Sequence, residues 1–250
     1  MKAVYKRPEC MFDLESGTNF CGGCGHGITT RLLMELIDEM KVREKMVLCI
    51  PIGCSGSLNR LVDVDRICCL HGRAPATATG IKRCDPNKFV FVYQGDGDLA
   101  SEGMAEIMHA AIRSEKFSVC FINNAIFGMT GGQVAPTTLI GQYATTAPGG
   151  RQTVNTGYPV NMAEIMAGLP GVYYSARVTI NSPARIAETK KAMKKLFEYQ
   201  LAGKGLNFLE ILVPCPTNWG MAPIKAMEWI DTAMVGQYPL GVFKDMEAEK

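Results

Sequence analysis

Apolar positions along this chain alternate between two spacings. Runs at 46–50, 89–93, 119–122, 172–175 and 207–213 are short and continuous and read as strands. Residues 65–70 read as a further strand, closed by His71-Gly72-Arg73. Between the runs, apolar residues recur at helical spacing. Ile28, Leu32, Leu33, Leu36, Ile37 and Met40 form one stripe. Ala105, Met108, His109 and Ile112 form another, at i, i+3, i+4 and i+7, and are expected to face inward. Residues 74–81 predict a small helix with Pro75 in its first turn, and 161–168 a short one. Ser182-Pro183 caps a third, with Ile186, Met193, Leu196 and Phe197 inward and Lys190, Lys191, Lys194 and Lys195 on a solvated face. Strands alternating with helices predict an α/β fold, a doubly wound and mainly parallel sheet. The expected organisation is an arm over 1–20, one domain over 21–216, and a tail over 217–250 with little core that packs on a partner.

The strand ends carry the polar chemistry. The run at 89–93 leads into Gly95-Asp96-Gly97-Asp98, and the run at 119–122 into Asn123-Asn124, with a helix between. In open α/β sheets this carboxyl edge is where ligands bind. Gly95 and Gly97 let the backbone approach a bulky anion. Asp96 and Asn124 offer hard oxygens suited to Mg²⁺ or Ca²⁺. A lone GDGD is a turn or a calcium loop, but here 25 residues intervene between Gly97 and Asn123. That pairing resembles the thiamine-diphosphate motif, in which the GDG aspartate, the second asparagine and a carbonyl two residues on hold the metal. By resemblance, these are Asp96, Asn124 and the carbonyl of Ile126. Residues 125–160 lack a period, and a long irregular segment in a compact domain is usually functional.

Composition narrows the class. The chain has 250 residues, 47% hydrophobic, with a net charge of +2. It is long enough for one good core, without the basic stripe that nucleic acid would demand. No apolar run approaches a membrane span, and the N-terminal residues lack a signal-peptide core, so a cytoplasmic protein is expected. Ten cysteines in such a chain suggest thiols or metal ligands rather than disulfides.

Cys21 and Cys24 form a CxxC inside Cys21-Gly22-Gly23-Cys24-Gly25-His26-Gly27, a glycine-rich stretch read as a loop before the first helix. Cys54 and Cys215 each follow a predicted strand on the same sheet edge as Asp96 and Asn124. A redox pair, structural zinc and an iron–sulfur cluster compete for these thiols, and spacing leaves zinc and cluster level. Cys49, Cys68, Cys69, Cys84 and Cys120 read as small buried hydrophobes, and Cys10 has no assigned role.

Taken together and in order, CGGCGHG, PIGCSG, HGRAPATATG, GDGD…NN, IFGMTGGQ…PTT and PCPTNWG resemble the thiamine-diphosphate-binding β subunit of 2-oxoacid:ferredoxin oxidoreductases. The likeness covers roughly residues 18–220 and implies the thiamin diphosphate-binding fold. It raises a [4Fe–4S] cluster above zinc, with Cys21, Cys24, Cys54 and Cys215 as ligands. It implies that Ile52, Gly53, Cys54, Ser55, His71, Asp98, Gly128, Met129 and Thr130 surround the cofactor, beside Gly95, Asp96, Gly97, Asn124 and Ile126. It implies thiamine diphosphate, Mg²⁺ and one [4Fe–4S] cluster as cofactors, coenzyme A and a 2-oxoacid as reactants, and ferredoxin as electron acceptor. The activating glutamate is expected on an α subunit, with γ and δ subunits as further partners. Gly131 stands where some relatives carry Lys, which favours 2-oxoisovalerate over 2-oxoglutarate or pyruvate. Phe127 stands where Tyr is frequent. A non-redox thiamine decarboxylase subunit and a zinc-stabilised binding module are the competing readings.

Overall fold

The structure is a computed structural model and describes residues 6–13 and 17–248. Seven strands form one sheet: β1 (Met46–Ile50), β2 (Asp65–Cys68), β3 (Phe89–Gly95), β4 (Ser118–Asn123), β5 (Val172–Thr179), β6 (Leu206–Leu212) and β7 (Gly241–Asp245). Their order is β2-β1-β3-β4-β6-β5-β7, parallel except for the antiparallel β5–β7 pair. The chain leaves β1 outward to β2, then returns to the other side of β1 with β3. This reversal is the topological switch point at which doubly wound sheets bind ligands.

Side-chain alternation explains the layers. Along β3, Phe89, Phe91 and Tyr93 enter one core with helices Gly25–Glu39 and Pro183–Leu201. Val90 and Val92 enter the other, with helices Ala74–Cys84, Met104–Ile112 and Met162–Ala167. A parallel sheet must be covered on both faces, which is why β3, β4 and β6 are buried throughout apart from Gly95 at the end of β3. Ser182 caps the long helix as expected, its Oγ accepting from the Arg185 N–H at 3.3 Å.

Several expectations need correction. In helix Met104–Ile112 the buried residues are Ile107, Ala110 and Ala111, whereas Ala105, His109 and Ile112 are exposed. Ile107, Ala110 and Ala111 make a stripe at i, i+3 and i+4 that competes with the expected one, and a π-helical turn, Asp98–Glu102, precedes the helix. The CGGCGHG stretch is not all loop, because the first helix begins at Gly25. There Gly25 N–H donates to Pro214 O at 3.1 Å and is committed within the chain. Cys68 and Cys84 are exposed, while Cys49, Cys69 and Cys120 are buried as expected. Lys190 is not merely solvated: it bridges Glu35 and Glu39 at 2.8 and 2.6 Å, and Lys195 meets Asp245 at 2.7 Å.

The tail packs into the domain, where Ile230, Met234 and Tyr238 share a cluster with Ala125, Leu139 and Leu212. Ala226, Ile230, Met234 and Tyr238 are buried, and β7 adds an antiparallel edge to β5. Of the expected arm, residues 1–5 and 14–16 lie outside the described residues. Cys10 is fully buried against the first helix, its Sγ donating to Met34 O at 3.3 Å.

Arg177 locks this end of the sheet. It is fully buried, ion-pairs with Glu164 and with Glu210 (2.9 Å), and lies between the rings of Tyr238 and Phe243. Removing the guanidinium strands Glu210 in an apolar interior. Arg177→Met is therefore expected to cost about 3–5 kcal/mol in denaturant unfolding. Adding Glu210→Gln, which removes the stranded charge but keeps an acceptor for Asn123, should restore at least about 1 kcal/mol.

Candidate functional site

The carboxyl ends of β1, β3, β4 and β6 are adjacent, and register aligns them. Gly95 pairs with Ile122, Ile122 with Ile211, and Asn123 with Leu212. The loops leaving these four strands carry Cys54, Asp96, Asn124 and Cys215 in that order across the sheet. A cleft of about 100 Å³ opens there, smaller than the pockets that enclose a small molecule on their own. Its lining includes Ile52, Gly53, Cys54, Ser55, His71, Gly95, Asp96, Gly97, Asp98, Asn124, Met129 and Thr130. Of the expected cofactor residues, only Ile126 and Gly128 are absent from the wall. Ile126 is buried behind it, and a Cβ on Gly128 would come within 3.2 Å of Cys54 Sγ.

Asp96 is buried at 3% exposure. Burial pushes its carboxyl up to about 7, and the Thr137 hydroxyl with the N–H groups of Gly97, Asp96 and Ile126 holds it down. The Thr137 hydroxyl donates to Oδ2 and the Gly97 N–H to Oδ1 at 2.9 Å. These partners are donors without net charge, and among the described residues the carboxylate has hydrogen bonds but no cationic side chain. A divalent cation is the group such a site lacks, which fits Mg²⁺. Asn124 sits beside it at the end of β4, and the next residue, Ala125, is held at φ +55°. Left-handed backbone at a buried non-glycine residue stores strain where the chain is being aimed. Asn123 aims it: its Oδ1 accepts from Ala125 N–H at 3.0 Å while its Nδ2 donates to Glu210 at 2.7 Å.

Asp98 does different work from Asp96. Its Oδ1 accepts from Gly72 N–H at 2.9 Å and lies 2.7 Å from His71 Nδ1, and its Oδ2 accepts from Gln94. Asp98 thus ties the His71 turn after β2 to the exit of β3.

Cys21, Cys24, Cys54 and Cys215 lie near enough for the thiols to act on one another's charge. Cys24 is pushed up to about 12 by burial, with Cys215, Cys54 and Cys21 each adding. Cys54 is pushed up to about 11 by burial, then by Cys215 and Cys21. Such thiols stay protonated without a cation and ionise only against one. Among the described residues no three His, Cys, Asp or Glu side chains converge as a single ion requires.

Sequence reasoning gave no site role to His26 or Thr137 and noted Phe127 only as a replacement for Tyr. His26 and Phe127 line the cleft. Burial lowers His26 to about 4, so it is neutral, and its Nδ1 lies 2.9 Å from the Tyr93 hydroxyl. The Phe127 ring occupies the space above Gly97, where a Cβ would lie 2.4 Å from the ring. All three residues sit inside stretches that carry the resemblance, but nothing in their spacing announces a role.

The turn at Gly72 makes the site's backbone testable. Gly72 has φ +76°, and a Cβ would lie 2.4 Å from the Glu102 carbonyl carbon. Gly72→Ala should lower the unfolding free energy by about 1–3 kcal/mol. Gly27→Ala, a helical position with open space, should leave it unchanged or raise it by about 1 kcal/mol. Chemical denaturation of both variants checks the contrast.

Residues 51–211 match the family described as thiamine pyrophosphate enzyme, C-terminal TPP binding domain. The chain is 41% identical to ketoisovalerate oxidoreductase subunit VorA of Methanothermobacter marburgensis, over 99% of this chain and 54% of that relative. The chain thus spans about half the length of that protein. It is 37% identical to 2-oxoglutarate synthase subunit KorB of Methanocaldococcus jannaschii, over 92% of this chain and 82% of the relative. Its fold is similar to that of a 2-oxoglutarate:ferredoxin oxidoreductase from Magnetococcus marinus, with a TM-score of 0.74, 26% identity, and coverage of 98% and 86%. The chain belongs to the thiamine pyrophosphate enzymes, whose TPP-binding domain it carries, and within them to the subunits of the 2-oxoacid:ferredoxin oxidoreductases.

Proposed function

We propose that this chain is the thiamine-diphosphate- and cluster-binding β subunit of a CoA-acylating 2-oxoacid:ferredoxin oxidoreductase. The observation that carries the reading is the convergence of the Asp96–Asn124 oxygen site and the four thiols on one sheet edge. When bound, thiamine diphosphate supplies an electron sink for decarboxylation and a [4Fe–4S] cluster supplies one-electron transfer. Asp96, Asn124 and the Ile126 carbonyl would hold Mg²⁺ against the diphosphate. Cys21, Cys24, Cys54 and Cys215 would hold the cluster. Cys54 also lines the cleft, so cluster and cofactor share a wall, which favours electron transfer over a short path. Met129 and Ile52, 59% and 49% exposed, would offer apolar surface to the cofactor and keep water from one side of it. An α subunit would supply the activating glutamate and close the open side. The thiols require reducing surroundings, in keeping with a cytoplasmic enzyme. Among the described residues no helix is long and apolar enough to cross a membrane.

The substrate reading rests on Gly131. A Lys there would pair with the far carboxylate of 2-oxoglutarate, and Gly removes that charge. This supports a branched aliphatic 2-oxoacid such as 2-oxoisovalerate. The backbone at Gly131 takes φ +108°, a conformation that side chains rarely adopt.

Anaerobic isolation with the partner subunits should yield a brown protein with about four irons per chain. Cys54→Ala and Cys215→Ala should each lose that iron. Asp96→Ala should keep it and lose most Mg²⁺-dependent thiamine diphosphate binding by calorimetry. Zinc in place of iron would sink the redox reading; iron retention in both cysteine variants would sink the ligand set. In a substrate panel, kcat/KM for 2-oxoisovalerate should exceed that for 2-oxoglutarate, and the reverse order would overturn the Gly131 argument.

A further inference from the structure

One turn of helix, Pro216–Trp219, follows Cys215 directly. Its side chains reach back to both halves of the site. The Asn218 amide nitrogen lies 3.0 Å from the Gly128 carbonyl oxygen and 3.4 Å from Cys215 Sγ. These two acceptors match the two protons of one –NH₂ group, which fixes the orientation of the amide. The amide oxygen faces Gly132, where a Cβ would come within 3.2 Å of it. The neighbouring Trp219 donates its indole N–H to the Asn124 carbonyl at 3.1 Å and its backbone N–H to the Cys215 carbonyl at 3.0 Å. The turn therefore grips the thiol of Cys215, the loop that carries Met129 and Thr130, and the backbone of the metal-site asparagine.

Among the described residues, Cys215 is the only one of the four candidate ligands whose sulfur receives a side-chain hydrogen bond. A donor to a cluster sulfur strengthens as negative charge builds there, so it favours the reduced state and raises the potential. We propose that Asn218 is a positioning residue that sets the cluster's reduction potential through Cys215 while fixing the Gly128 end of the cofactor loop. This rests on the cluster assignment made above. Its content is that one carboxamide serves both cofactors, so the electron donor's loop and the acceptor's ligand cannot shift independently.

The test is a redox titration of the anaerobic complex, followed by electron paramagnetic resonance, in the wild type, Asn218→Leu and Asn218→Asp. Leu keeps the bulk and removes the donor; Asp keeps the shape and replaces the donor with negative charge. At the wild-type midpoint, Asn218→Leu should lower the ratio of reduced to oxidised cluster by about three- to tenfold, the tenfold limit being about 59 mV for one electron. Asn218→Asp should shift it at least as far in the same direction. A tuning role is overturned by an unchanged or raised midpoint in either variant that retains iron, or by loss of the cluster from both. A wild-type complex that contains no iron would instead overturn the cluster assignment itself, and the two failures are told apart before any variant is measured.

Discussion

Everything in this molecule depends on the parallel, in-register pairing of β1, β3, β4 and β6. Parallel strands all end on the same side, so four loops are delivered to one edge whatever their sequences. Register decides what those loops present. A slip of one residue would turn each strand's side chains to the opposite face and carry the two cores and the four loops out of alignment. The apolar layers on both faces hold the register. Phe89 and Phe91 contact Phe197 on one side, and Phe121 contacts Phe208 on the other. The site therefore rests on rigid strand ends, with the irregular segment after β4 packed against it.

That segment is ordered from within. Arg151 is 2% exposed and donates to the carbonyls of Ala135, Pro136, Thr138, Thr156 and Tyr158. Five carbonyls take the place of a carboxylate partner, and they gather two dozen residues whose one helical element is the turn Thr153–Thr156. Thr137, held within this bundle, reaches Asp96. Two kinds of buried charge thus coexist near the sheet edge. Arg177 and Glu210 neutralise each other and serve the fold. Burial raises the carboxyl of Asp96 and the thiols of Cys24, Cys54 and Cys215, and neighbouring thiols add to the rise at Cys24 and Cys54.

Much of this was legible in the sequence, and the reasons are physical. A continuous apolar run at residues 89–93 can only be a strand covered on both faces, and the polar groups after it then fall on the ligand edge. Asp96, Asn124, Cys54 and Cys215 were readable for that reason. The inward face of Met104–Ile112 was not, because Ile107, Ala110 and Ala111 form a second stripe at i, i+3 and i+4, and spacing does not choose between the two. Strand β7 was also missed. Its residues are half-exposed at the sheet edge, and only pairing with β5 makes them a strand. Asn218 and Thr137 were invisible because their partners are 90 and 41 residues away in sequence.

The central claim is that the four thiols at this edge bind a multi-iron cluster and not a lone ion. Iron-edge X-ray absorption of the anaerobic complex tests it most directly. The account predicts a first shell made of sulfur alone and a second shell of iron scatterers. Nitrogen or oxygen in the first shell, or the absence of iron–iron scattering, would contradict it.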